Sequence, residues 1–297
     1  MRAQVIDGKA IATRMRADTR AQAQALAETG WMPRLVSVSV GDTAAAEIYV
    51  RNQGRAAEQA GVEFETRAYP GDISLEQLTG VLTGLNADPR VNGIIIQRPL
   101  PAHIPVKALQ KAVHPLKDVE GMHPASIGNI VYNDLALGPC TAVAAVEILK
   151  TLPLGLEGLD VTVIGHSEIV GKPIAFLMMG LGATVTVCHH MTRSVPMHSR
   201  ASDVVFVAVG KPGLVTGEML KPGAALIDIG INRVETPEGG KTVGDADFDS
   251  CAEVAGWITP VPGGVGPVTV SVLMQNAVLA TRMQMEHYRA TYTGAAQ

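Results

Sequence analysis

VTVIGHSEIVGKP, Val161 to Pro173, passes from a run of β-formers through a glycine into a helical pattern. Strand, glycine turn and helix stand in the order that a dinucleotide phosphate loop requires. Gly165 allows the chain to turn tightly, Gly171 lets the helix pack on the strand, and the helix N-terminus attracts a pyrophosphate. The spacing is G-x-S-x-x-x-G and not G-x-G-x-x-G, so the stretch alone is equally well read as a structural strand-turn-helix.

The segments after it favour the first reading. ATVTVC, DVVFVAVG and ALIDIGIN are further short β-rich runs, each ending in glycine or a polar residue, with a helix through Ile174 to Met179 between the first two strands. Four such strands describe a doubly wound, Rossmann-type nucleotide-binding domain. An acid about 20 residues beyond the glycines would bind the ribose hydroxyls of NAD. The sequence there is VCHHMTR, with no acid. His189, His190 and Arg193 suit a 2′-phosphate, which favours NADP, although solvated surface side chains are the plainer reading.

The same alternation runs upstream: RLVSVSVG, a helix from Ala45, FETRAYP, a helix around LEQLTGVLTGLN, and GIIIQ. It predicts βαβ units and a parallel sheet. The fold class is therefore α/β with two domains. Residues 1–140 form an N-terminal catalytic domain, 141–267 the NAD(P)-type domain, and a long helix over 268–297 returns to the first domain. Only the terminal TGAAQ is expected to be loose.

Composition bounds the function. The 297 residues are 47% hydrophobic and 18% charged with a net charge of −4, which describes a compact globular protein. Basic residues are scattered, which argues against nucleic acid as a partner. Cys140, Cys188 and Cys251 have no metal-ligand spacing, so no metal site is expected and a reducing cytoplasm fits. The N-terminus lacks the apolar stretch of a secretory signal, and the uncharged run from Ile258 to Thr281 is broken by prolines and glycines. No membrane span is expected.

Candidate functional residues lie in four other stretches. In EIYVRNQGRAAEQAGV, Glu47 to Val62, Tyr49 and Gln53 are four apart and share a helix face. An amine beside the phenol would make a proton-handling pair; the amide of Gln53 has no useful basicity. Gln97 closes a buried strand in GIIIQRPLP, and its amide must be hydrogen-bonded, whether for structure or to orient a ligand. In PLKDVEGMHP, Asp118 and Glu120 sit in a turn-like segment. A carboxylate there would accept paired hydrogen bonds from a ring N–H and an amino group, as on a pterin, while a solvated or helix-capping acid is the plainer reading. TPVPGGVGPVTV, Thr259 to Val270, is too rich in Gly and Pro for a helix or central strand, and reads as a backbone surface for a flat ligand, a rigid linker, or both.

VIDGKAIA, EIYV, GIIIQRPLP, KDVEG, GPCT, VIGHSEIVGKP, VGDADF and TPVPGGVGPVTV, in this order over essentially the whole chain, resemble the bifunctional methylenetetrahydrofolate dehydrogenase/cyclohydrolase family, FolD. The resemblance implies two α/β domains with a cleft between them and a homodimer. It implies oxidation of 5,10-methylenetetrahydrofolate with NADP, NAD being the alternative, followed by hydrolysis of the methenyl product. On that resemblance Tyr49, Gln97, Pro262 and Gly263 line the folate site, and Gly165, His166, Ser167, His190, Ile231 and Thr269 contact the dinucleotide.

The departures from the family pattern fall on the chemistry. Tyr-x-x-x-Lys becomes Tyr49 and Gln53, KDVDG becomes KDVEG with Glu120, and Arg98 stands where leucine is common, facing either a folate glutamate tail or solvent. His166 and His190 are departures on the dinucleotide side. Hydride transfer requires two oriented rings and no base, whereas hydrolysis requires a group that takes and returns a proton. With Tyr49, Gln53, Gln97 and Glu120 as its catalytic set, the chain is expected to be a dehydrogenase with little or no cyclohydrolase activity. A relative acting on another pterin or modified folate, and an inactive paralogue serving as a binding subunit, are the alternatives.

Overall fold

The computed structural model describes residues 2–41, 44–237 and 239–292. The terminal TGAAQ lies outside them. In chain order the N-terminal elements are β1 (Gln4–Val5), α1 (Gly8–Glu28), β2 (Arg34–Val40), α2 (Ala44–Ala60), β3 (Glu63–Tyr69), α3 (Leu75–Ala87), β4 (Gly93–Ile96), α4 (Val106–Ala112), α5 (Pro124–Val131) and α6 (Cys140–Lys150). There follow β5 (Asp160–Ile164), α7 (Gly171–Gly180), β6 (Thr184–Cys188), α8 (Val195–Ser199), β7 (Val204–Val207) and β8 (Ala225–Asp228). The last are β9 (Asn232–Thr236), β10 (Gly239–Val243), α9 (Phe248–Ala252), β11 (Trp257–Ile258) and α10 (Val265–Tyr292). No helix among the described residues is long and apolar enough to cross a membrane.

The chain forms two compact units. One comprises Thr13–Asn129, Leu135–Cys140 and Val270–Gln297; the other comprises Met1–Ala12, Ile130–Asp134 and Thr141–Thr269. The first holds a parallel three-stranded sheet in the order β3-β2-β4, with Ser37 opposite Ile95 and Val38 opposite Ile96. Successive side chains of a strand point to opposite faces. Val36, Val38, Val40, Ile94 and Ile96 accordingly share one core with Leu78, Leu82 and Leu85 of α3 and Leu109 of α4. Leu35 and Ile95 join the other core, with Ala56, Ala57 and Ala60 of α2 and Met274, Ala277 and Val278 of α10. Burial on both faces explains why β4 reads as a continuous apolar run.

The other unit holds a six-stranded sheet in the order β1-β11-β8-β7-β5-β6, parallel at every pairing. The four strands expected from the sequence are its contiguous β8-β7-β5-β6 portion. Two-residue β1 and β11 extend it, too short for any periodic pattern. Pairing of β1 with β11 corrects the expected domain division, because the N-terminal segment belongs with this sheet and not with residues 13–129. The antiparallel pair β9 and β10 was not anticipated either. A further correction concerns TPVPGGVGPVTV, whose second half is helical from Val265 onward. Pro267 stands in the first turn of α10, where its missing N–H has no intrahelical partner to lose.

The chain leaves β5 for β6 on one side and then crosses to β7 on the other, so the turn after β5 lies at the point where the strand order reverses. Ligands of doubly wound sheets bind at such points. Gly165 forms this turn with φ of +119°, and a Cβ on it would lie 2.2 Å from the Ala208 carbonyl oxygen at the end of β7. Gly171 is required for a related reason: its Cβ would meet the Gly165 oxygen at 2.0 Å. Gly165→Ala is therefore expected to lower the urea midpoint by the equivalent of about 2–4 kcal/mol. Gly213→Ala, at φ of +65° with open space around the added carbon, should cost only about 1 kcal/mol.

Candidate active site

Gln53, Gln97 and Glu120 come together at the carboxyl end of β4. Gln97 continues β4 by one residue, its N–H donating to the Val38 carbonyl at 2.8 Å. The pleat then puts its side chain on the same face as Ser37. α2 presents Gln53, Ala56, Ala57 and Ala60 at helical spacing; the alanines are buried in the core on that sheet face, and Gln53 stands one turn before them. Gln97 is 6% exposed. Its Nε2 donates to Ser37 Oγ at 3.0 Å and to Gln53 Oε1 at 2.6 Å, which uses both amide protons. Tyr49, another turn earlier, is 55% exposed.

The two loop acids divide their work. Asp118 is a cap: its carboxylate accepts the N–H groups of Met122 at 3.0 Å and His123 at 2.7 Å and the Ser126 hydroxyl at 2.6 Å, securing the entry to α5. Glu120 accepts the N–H of Ile96 at 3.0 Å, which brings its carboxyl group beside the residue preceding Gln97. Although part of Glu120 reaches the surface, the carboxyl group is enclosed. Burial pushes it up to about 7, against the opposing pulls of the Ile96 N–H and Arg98. Arg98 itself is exposed. Gly121 follows with φ of +67° and lies so close to the Gly138 carbonyl that a Cβ would fall 2.0 Å from its carbon. Asn276 of α10 ties the same loops, donating to the carbonyls of Val119 at 2.9 Å and Gly138 at 3.1 Å.

In the six-stranded unit, Ser167 Oγ accepts the N–H of Val170 at 3.2 Å and closes the turn into α7. His166 follows Gly165, and its ring lies 4.7 Å from that of His189 and 6.0 Å from that of His190. Ile231 is exposed, while the Thr269 hydroxyl donates within α10 to the Val265 carbonyl at 3.2 Å. Pro262 and Gly263 lie in this unit. Two buried acids went unremarked in the sequence. Asp228, at the end of β8, accepts the N–H groups of Gly230, Asp245 and Ala246, and burial pushes its carboxyl group up to about 6. Asp245 accepts those of Val209 at 2.6 Å, Gly210 at 3.0 Å and Lys211 at 2.9 Å. Together they fix the loops after β7 and β8. An acid inside the apolar run ALIDIGIN was the available clue. Ser37 was also missed, although it is a hydroxyl within a buried strand.

A parallel six-stranded sheet with a glycine turn at its reversal point defines a dinucleotide-binding α/β protein. The chain belongs to the tetrahydrofolate dehydrogenase/cyclohydrolase family: residues 6–120 match its catalytic domain and residues 139–285 its NAD(P)-binding domain. The bifunctional protein FolD 2 of Mesorhizobium japonicum is 60% identical over 97% of this chain and 94% of its own length. FolD of Rhodobacter capsulatus is 61% identical over 95% and 94%. Among solved structures, Trypanosoma brucei methylenetetrahydrofolate dehydrogenase-cyclohydrolase, complexed with NADP cofactor and inhibitor, superposes with a TM-score of 0.90. It is 36% identical and covers 96% of this chain and 99% of its own.

The fold favours the protonated form of Glu120. The folded residue holds its proton to about pH 7, whereas an ordinary glutamate releases it near 4.5. Its cost to stability is absent below the lower value, grows as the pH rises between the two, and is constant above the higher one. Glu120→Gln keeps an oxygen for the Ile96 N–H and removes the ionisation. Relative to wild type, the variant should gain on the order of 1–3 kcal/mol at about pH 8 and little at about pH 5, read as a difference in Tm.

Proposed function

We propose that this protein oxidises 5,10-methylenetetrahydrofolate to 5,10-methenyltetrahydrofolate with NADP, and that its cyclohydrolase activity is lost or very weak. Family membership supports the oxidation. The observation that carries the second part is the 2.6 Å hydrogen bond from Gln97 Nε2 to Gln53 Oε1. At the position where the family pattern expects a lysine, an amide is tied to another amide.

When bound, nicotinamide would supply a hydride acceptor, and the turn of Gly165, His166 and Ser167, with His190 after β6, Ile231 after β8 and Thr269 on α10, would hold the dinucleotide. The remaining work belongs to the folate side. Ser37 and Gln53 hold the Gln97 amide in one orientation, so that it can position a ring without taking a proton from it. Glu120 offers the pterin a carboxyl group beside β4, and Tyr49 an exposed phenol. Oxidation of the one-carbon bridge leaves a cation stabilised by both flanking nitrogens, and it needs no base. Hydrolysis of that cation does need one. Gln53, an amide without useful basicity, cannot serve.

A second reading rests on Glu120. One methylene longer than the family's aspartate and already accepting the Ile96 N–H, it favours a modified pterin as substrate. A homodimer is part of the proposal on family grounds. Purified protein incubated with 5,10-methylenetetrahydrofolate and NADP, or NAD, should form reduced nucleotide while methenyl product accumulates. Gln53→Lys should hydrolyse that product faster, by up to about 10²–10⁴-fold, the usual scale of a positioned acid-base group. No reduced nucleotide with either cofactor would sink the dehydrogenase reading. Rapid hydrolysis by wild type would sink the loss of the second activity.

A further inference from the structure

We propose that His166, His189 and His190 form a proton-dependent reader of the 2′-phosphate, so that the preference of this protein for NADP over NAD strengthens as the pH falls towards 6.5. The inference rests on the nucleotide binding proposed above and deepens it. The three rings lie 4.7, 5.9 and 6.0 Å apart between centres. His166 comes two residues after β5 and the other two directly follow β6; Ile164 and Cys188, the last residues of these strands, are paired in register. The cluster therefore stands at the carboxyl ends of adjacent strands, where doubly wound folds receive the adenosine ribose. The residues present fit a phosphate better than a bare ribose, because VCHHMTR offers no acid to the hydroxyls.

The rings differ in their hydrogen bonding and exposure. His189 Nδ1 accepts the Met191 N–H at 3.1 Å, a bond that protonation of this nitrogen would break. His166 and His190 are exposed. Without a ligand, a proton on one ring disfavours a proton on the next. A phosphate dianion among them reverses this, because it favours the charged form of every ring it touches. Its binding should draw protons into the site near neutrality, where imidazole changes charge. The other charged groups on the flanking segments are Glu168 and Lys172 at the entry to α7, Arg193 after β6 and Lys211 after β7. These are residue types that ordinarily titrate outside that window. His198 on α8 is the remaining imidazole of this unit. Cys188, at the end of β6, is held as a thiol, since burial raises its pKa against the weaker effect of Thr192.

The test uses 2′,5′-ADP and 5′-AMP, which differ only in the 2′-phosphate, titrated calorimetrically into the full-length protein. The second ionisation of a phosphate monoester lies near pH 6, so the comparison runs from about pH 6.5 to about pH 8, where the ligand stays mostly dianionic. The ratio of the two affinities should fall about tenfold across that range. Binding of 2′,5′-ADP at about pH 7 should take up about one proton, read from the enthalpies in two buffers of different ionisation heat, and binding of 5′-AMP should take up none. His190→Arg should keep the preference and flatten its pH dependence, and His190→Gln should lower it at the acidic end. A ratio that does not change with pH, without proton uptake, overturns the inference and leaves the nucleotide reading standing. Failure of both probes to bind overturns the two together.

Discussion

A buried amide must have its protons accepted, and the three-stranded unit is arranged around the one on Gln97. With 6% of the residue exposed, an unpaired Nε2 would cost about 1–3 kcal/mol. Ser37 on the neighbouring strand and Gln53 on the covering helix take one proton each. Two consecutive elements, β2 and α2, are thereby held in register with the end of β4. Ala56, Ala57 and Ala60 suit this requirement, because small side chains let α2 lie close to the sheet. A lysine in place of Gln53 would supply no acceptor for Gln97.

Four carboxyl groups show how the balance between burial and hydrogen bonding sets what an acid does. Asp118 and Asp245 each collect several donors and serve as fixed anchors for loops. Asp228 collects three N–H groups yet is still raised to about 6, because its burial outweighs them. Glu120 has one backbone donor and an enclosed carboxyl group, and is the most easily neutralised of the two raised acids, at about 7.

Much of the fold was legible because parallel α/β proteins write their strands as short β-branched runs between helical patterns. β2 to β8 and their helices follow those runs closely. What escaped were the short elements, from the two-residue β1 and β11 to the five-residue β9 and β10. The pairing of Gln4 and Val5 with Trp257 and Ile258 joins the two ends of the chain in sequence terms, and no local pattern marks a contact of that separation. The helical half of TPVPGGVGPVTV was hidden by composition, since Pro and Gly near a helix start look the same as Pro and Gly in a loop.

The sequence by itself determined the α/β class, the glycine turn at Gly165, the family resemblance and the absence of an amine at position 53. These follow from residue type and local spacing. Only the tertiary structure decided that Gln53 accepts from Gln97, that Ser37 is the second acceptor, that Glu120 faces Ile96 while Asp118 caps a helix, and that three histidines from two strand ends meet. Each of these depends on which side chains the sheet register and the pleat bring within about 3–6 Å. Distance along the chain does not encode that information.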